Sequence, residues 1–245
     1  MAKLLIGVAL IVAIIIGVVV FFPKKGEYDA QRPENDSAFN DTSGEPPFRL
    51  KGVGLDLDDI DFSVVTDHKI PFEGYGTWVE IPGEKSYRNP QPTFVVPKGT
   101  KVRALIDGFV IDVPKLYSGD YSVRVAASMD SRWSAETEHV DNPIVKPGDF
   151  VKAGQVVAEA STAKTGNNSS WAWFEIGIGK GTSNLEERPD HVCTFKYLDD
   201  SIKEETYKKL KSIMAAWEEY KKDPNVYDEN ASPTPGCLTE EVIDG

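Results

Sequence analysis

The spacing of apolar residues divides the chain into stretches with different periods. Leu4 to Phe22 is apolar without a break, and its nineteen residues make a helix of roughly 28 Å, close to the hydrocarbon thickness of a bilayer. A cleaved signal peptide wants a shorter apolar run and a small-residue cleavage site, whereas this run ends in Phe21-Phe22-Pro23-Lys24-Lys25. The expectation is a single N-terminal transmembrane helix over residues 1–23. Residues 24–47 are polar, contain Pro33, Pro46 and Pro47, and carry no apolar period, which predicts a flexible stalk.

A β-rich domain is predicted over residues 48–198. It opens with Leu55, Leu57, Ile60, Phe62 and Val64 alternating with Asp56, Asp58, Asp61 and Ser63, the period of half-buried strands. Turn signals such as Pro97-Lys98-Gly99, Ser118-Gly119-Asp120 and Lys146-Pro147-Gly148-Asp149 then separate candidate strands at 93–96, 101–105, 108–113, 121–127, 155–160 and 171–178. This predicts a mainly β class, an antiparallel sandwich or open barrel. From Asp200 the period becomes helical. Ile202, Thr206, Leu210, Ile213, Met214 and Trp217 fall on one face, with Asp200 or Ser201 available as the cap, so an amphipathic helix is expected within 199–222. That face suits packing on the β domain or docking a partner. Residues 223–245 read as an irregular acidic tail.

Charge and cysteines narrow the function classes. A formal charge of −12 argues against nucleic acid and anionic lipid headgroups as partners. The two cysteines, Cys193 and Cys237, show no Cys-x-x-Cys or Cys/His metal spacing. A disulfide between them is expected in an oxidising compartment. Asp56-x-Asp58-Asp59-x-Asp61 lacks the central glycine and distant glutamate of a calcium loop, and reads as a solvated face.

Lys3 on one side of the apolar run and Lys24 and Lys25 on the other give the positive-inside rule little to act on. Five of the nine asparagines, Asn35, Asn40, Asn167, Asn168 and Asn230, stand in glycosylation sequons, against about one expected from composition. Asn167 and Asn168 overlap, and Pro233 follows the sequon of Asn230. The excess predicts that the bulk of the chain lies outside the cytoplasm, on a single membrane pass.

The most specific pattern lies between Asn89 and Ile178. Val96-Pro97-Lys98-Gly99-Thr100-Lys101-Val102-Arg103-Ala104 precedes Asp107-Gly108-Phe109-Val110. His139 then stands ahead of Val145-Lys146-Pro147-Gly148-Asp149-x-Val151-x-x-Gly154-Gln155-Val156-Val157, and Trp173-Phe174-Glu175-Ile176 closes the series. Together these pieces, over roughly 90 of the 245 residues, resemble the lysostaphin/LytM-type zinc peptidases, with their duplicated hybrid motif fold. Biotinyl and lipoyl carrier domains share the Gly-x-x-Val repeat but need a lysine on an exposed hairpin tip, which is not found here.

The resemblance implies zinc held by two histidines and an aspartate, with further histidines serving catalysis. The positions that match the family's H-x-G-x-D are Asn89, Gln91 and Thr93, and its H-x-H reads Trp171-Ala172-Trp173. Asn89, Thr93 and Trp173 thus stand at the zinc-ligand positions, so no metal or other cofactor is expected. His139 alone remains, matching a histidine the family uses in catalysis. Trp171 and Trp173 share one strand face, and either stack on a ligand or fill the volume left by metal and water.

The expected function is a catalytically inactive, membrane-anchored binding or regulatory module, with Asn89, Thr93, His139, Trp171 and Trp173 as its groove and a protein as its partner. An accessory subunit of a membrane complex is the alternative, and an active metallopeptidase the least favoured reading.

Overall fold

Runs of β-branched and aromatic residues, broken by glycines that accept left-handed backbone, build most of the chain. Gly99 and Gly148 turn with φ of +85° and +93°, as their place in the repeated Gly-x-x-Val pattern requires. The computed structural model describes residues 44–65, 70–80, 83, 85–165, 169–181, 189–228 and 231–244. The apolar run 4–22, most of the stalk, and the sequon residues Asn35, Asn40, Asn167, Asn168 and Asn230 lie outside the described residues. Among the described residues no helix is long and apolar enough to cross a membrane.

The strands are β1 (Phe72–Glu73), β2 (Trp78–Val79), β3 (Tyr87–Arg88), β4 (Thr93–Pro97), β5 (Lys101–Arg103), β6 (Gly108–Asp112), β7 (Tyr121–Ala126), β8 (Trp133–Asp141), β9 (Phe150–Val151), β10 (Val156–Ala160), β11 (Trp171–Lys180) and β12 (Asp190–His191). Ten form one antiparallel sheet with the order β1-β4-β11-β8-β7-β6-β9, while β10 pairs with β5 and β8, and β12 with β11; β2 and β3 make a separate hairpin.

The long strand β11 is central. It pairs with β4 over Trp171–Glu175 and with β8 over Glu175–Lys180. Its alternate residues Ala172, Phe174, Ile176 and Ile178 enter the main core with Phe72, Phe94, Val123 and Val157. Trp171, Trp173, Glu175 and Gly177 therefore point to the opposite face.

That second face is covered in part by the helix α1 (Asp200–Lys221). Asp199, one residue before the expected cap, accepts a hydrogen bond from the Ser201 amide and starts the helix. Leu210 and Met214 join the main core, whereas Trp217 packs with Val65, Val95 and Trp171 in a second cluster. The apolar stripe of α1 is thus used within the fold.

Two sequence expectations are corrected. The segment 55–64 is not strand but two 3-10 turns, Leu57–Asp59 and Phe62–Val64. The alternation of buried and exposed residues is real, yet the aspartates redirect the backbone. Asp56 accepts from the Asp58 amide at 3.1 Å and Asp61 from the Ser63 amide at 2.9 Å, closing local turns that compete with a ladder. Lys209 of α1 reaches Asp58 at 3.0 Å and anchors the acidic run. The second correction is the nine-residue strand β8, which alternation does not reveal because Glu136, Thr137, Glu138 and His139 occupy its middle.

Cys193 and Cys237 are joined by a disulfide, with Cα atoms 5.9 Å apart. The acidic tail beyond it is irregular but held. Leu238 donates its amide to the Tyr75 carbonyl, and Ile243 exchanges backbone hydrogen bonds of 2.8 and 3.0 Å with His191.

Candidate binding site

The pairing registers place the predicted residues side by side. Thr93 lies opposite Glu175, Val95 opposite Trp173 and Pro97 opposite Trp171, so the β4 and β11 side chains of each pair project to one face. On the other flank of β11, Glu138 of β8 lies directly opposite Glu175.

His139 reaches the same place through a bulge. Tyr121 pairs with Val140 and Ser122 with Glu138, leaving His139 as the extra residue of β8, with φ +57°. A regular pleat would send Glu138 and His139 to opposite faces, and a bulge re-aims the additional side chain. The imidazole accordingly sits with Nδ1 2.9 Å from Asp120 Oδ2 and Nε2 3.5 Å from Glu175 Oε2. Burial alone would raise the Asp120 carboxyl, but hydrogen bonds from His139 and Ser118 outweigh it and hold the group below the usual carboxylate range.

Glu175 is the hub. Its Oε1 accepts from Thr93 Oγ1 at 3.3 Å and from the Trp173 indole Nε1 at 2.5 Å, while Asn89 Nδ2 donates to Thr93 Oγ1 at 3.1 Å. The side chains at all three positions where the resemblance places zinc donors are therefore tied through one carboxylate. They do not fit the metal: an indole N–H has no lone pair to offer, a neutral hydroxyl is a poor ligand, and the Asn89 carbonyl oxygen already accepts from the Gln91 amide at 3.2 Å. Among the described residues no three His, Cys, Asp or Glu side chains are arranged to hold a metal ion.

A second polar cluster adjoins the first through Gln91. Gln91 Nε2 and His191 Nε2 lie 3.0 and 2.7 Å from Glu136 Oε1, and Arg124 Nε lies 3.1 Å from Oε2. Burial opposes the charge on Glu136, but His191 and Arg124 outweigh it and hold the carboxyl well below its ordinary range. Gly177 makes room for this group. A Cβ there would stand 3.1 Å from Gln91 Nε2, Glu136 Oε1 and His191 Cδ2 at once. Glu138, half-buried beside Glu136 and Glu175, is only partly compensated by His139 and Gln91. Burial, then the charges of these two neighbours, push it up to about 7.

The groove residues differ in exposure. Asn89, Thr93, His139 and Trp171 are buried. Trp171 belongs to the floor beneath Trp217, whereas Trp173 is half-buried at the margin. Lys164, on the turn after β10, sets its ammonium 5.2 Å from the Trp173 ring centroid and 3.9 Å from Glu175 Oε1. A cavity of about 490 Å3 runs along α1 beside Tyr207 and Lys211, and one of about 140 Å3 lies between Phe72, Met214 and Leu238; neither is lined by Glu175.

Glu175 and Glu138 were not among the residues singled out from sequence, although Glu175 stands inside the Trp-Phe-Glu-Ile motif. The signal that finds Glu175 is an acidic residue inside an otherwise apolar strand; Glu138 lies in a polar stretch and carries no such signal. His191, remote in sequence, joins the second cluster because β12 pairs with the end of β11.

Residues 92–184 match the family model described as Peptidase family M23. Among solved structures, the chain is similar to the antimicrobial peptidase lysostaphin from Staphylococcus simulans, at 22% identity over 45% of this chain and 43% of that one, with a TM-score of 0.36. LytU matches at 24% identity over 49% of this chain and 79% of that one, with a TM-score of 0.38. A chain of the SpoIIQ-SpoIIIAH pore forming complex matches at 15% identity over 62% and 92%, with a TM-score of 0.44. The chain spans less than half the length of the lysostaphin chain it matches. No curated protein sequence matches it.

Proposed function

We propose, from the LytM-like M23-type domain that residues 92–184 form, that this protein acts by binding and not by hydrolysis. One observation carries the reading. At the positions where the resemblance places zinc donors, Thr93 and Trp173 instead bond to Glu175, and Asn89 bonds to Thr93. Metal-activated water is the nucleophile that such a site needs, and a histidine clamped between Asp120 and Glu175 does not replace it. The site retains what recognition requires: a half-buried indole, a carboxylate and a rigid sheet behind them.

Tethering belongs to the same proposal. The apolar run 4–22 holds the protein in a membrane, and the sequons favour an extracytoplasmic body with a protein partner. Purified full-length protein is expected to contain no stoichiometric zinc by elemental analysis and to bind none on titration. Stoichiometric zinc with peptide hydrolysis overturns the reading. Purification in mild detergent separates the two binding roles, since membrane proteins retained in fixed ratio would make the chain an accessory subunit.

A further inference from the structure

We propose that Trp173 and Glu175 form a recognition site for a cationic side chain of a protein partner, a lysine ammonium in particular, which the protein's own Lys164 occupies in the unbound state. The inference rests on the non-catalytic reading and names the ligand chemistry of the same site.

Three observations support it. The Lys164 ammonium lies over the Trp173 ring at 5.2 Å from its centroid, within the range of a cation–π contact, and 3.9 Å from the Glu175 carboxylate at the edge of the same indole. An aromatic face beside a carboxylate is the pairing that selects a cation over a neutral group. The Lys164 contact is also a loose one. At 3.9 Å from Glu175 Oε1 the ammonium is beyond hydrogen-bond range, while the Trp173 indole takes the short bond to that oxygen.

Finally, the turn that carries Lys164 is fixed. Ala163 N donates to Ser161 Oγ, and Thr165 Oγ1 donates to the Trp171 carbonyl at 3.0 Å. Release therefore needs only rotation of the Lys164 side chain. Its tether gives it a high effective concentration, so an incoming cation must compete with it. With a net charge of −12, the chain also suits a basic partner.

The test titrates full-length protein with Nα-acetyl-lysinamide, using uncharged Nα-acetyl-norleucinamide as the control, and follows tryptophan emission. Lys164→Ala is expected to bind the lysine probe at least ten-fold more tightly than wild type and to ignore the norleucine probe. Adding Glu175→Gln is expected to reverse the gain. Raising salt from about 50 to 500 mM is expected to weaken binding to Lys164→Ala several-fold, and this decides the matter if the double variant does not fold. Equal affinity of wild type and Lys164→Ala, equal response to both probes, or affinity insensitive to salt overturns the proposal. Zinc content measured on the same samples keeps the two readings apart. Zinc-free protein that ignores lysine refutes the cation site alone, and zinc-loaded protein refutes the non-catalytic reading.

Discussion

Replacing Glu138 by glutamine is expected to change how stability depends on pH, and the direction follows from the register of β8 against β11. Glu138 stands directly across from Glu175, with Glu136 two residues away on the same face. Burial and these two charges raise its carboxyl from 4.5 to about 7 in the folded protein. An acid whose folded value is raised contributes stability that is fully present below its unfolded value and is lost as pH rises through the folded one. Wild type should therefore lose stability between pH 4.5 and about 7.

At 1.36 kcal/mol per pH unit, the rise from 4.5 to about 7 sets a ceiling of roughly 3.4 kcal/mol. Glu138 keeps contact with solvent, and screening reduces the expected effect to about 1–2 kcal/mol. Glu136 works in the opposite sense. Its lowered carboxyl contributes stability above the ordinary carboxylate range that is lost only in stronger acid. The assay is urea unfolding of wild type and Glu138→Gln at pH 5, 6, 7 and 8. The variant should be the more stable at pH 8 by about 1–2 kcal/mol, with the advantage shrinking toward pH 5. Parallel curves for the two proteins would refute the like-charge account of this face.

Two further outcomes follow from the packing. Changing Cys193 and Cys237 to serine opens a loop with a sequence separation of 44 and should cost about 2–4 kcal/mol in denaturant titration; reductant should reproduce the loss in wild type and leave the serine variant unchanged. Trp217→Ala removes the indole that packs against Trp171, Val65 and Val95 and should cost about 3–5 kcal/mol, with hydrogen exchange rising first in the last two turns of α1.

The sequence by itself determined the parts of this protein that depend on neighbours along the chain. The glycine turns at 99 and 148, the strands of apolar residues between them, and the amphipathic stripe of α1 are local patterns, and each element stands where its pattern lies. The residue types at Asn89, Thr93 and Trp173 were legible for a related reason, because ligand chemistry is a property of residue type. Local patterns also mislead where side chains compete with the backbone. Asp56 and Asp61 turn an alternating segment into 3-10 turns.

Only the tertiary structure decided how Asn89, Thr93 and Trp173 are linked to Glu175. Strand β8 carries polar residues that alternation discards, and it becomes a strand because β7 and β11 supply its hydrogen bonds on both edges. Its register sets Glu138 against Glu175, and a single bulged residue brings His139 within reach of the same carboxylate. The convergence of Thr93, Trp173, Lys164 and His139 on Glu175 spans up to 82 residues of chain. It arises from strand order and register, which no local period encodes.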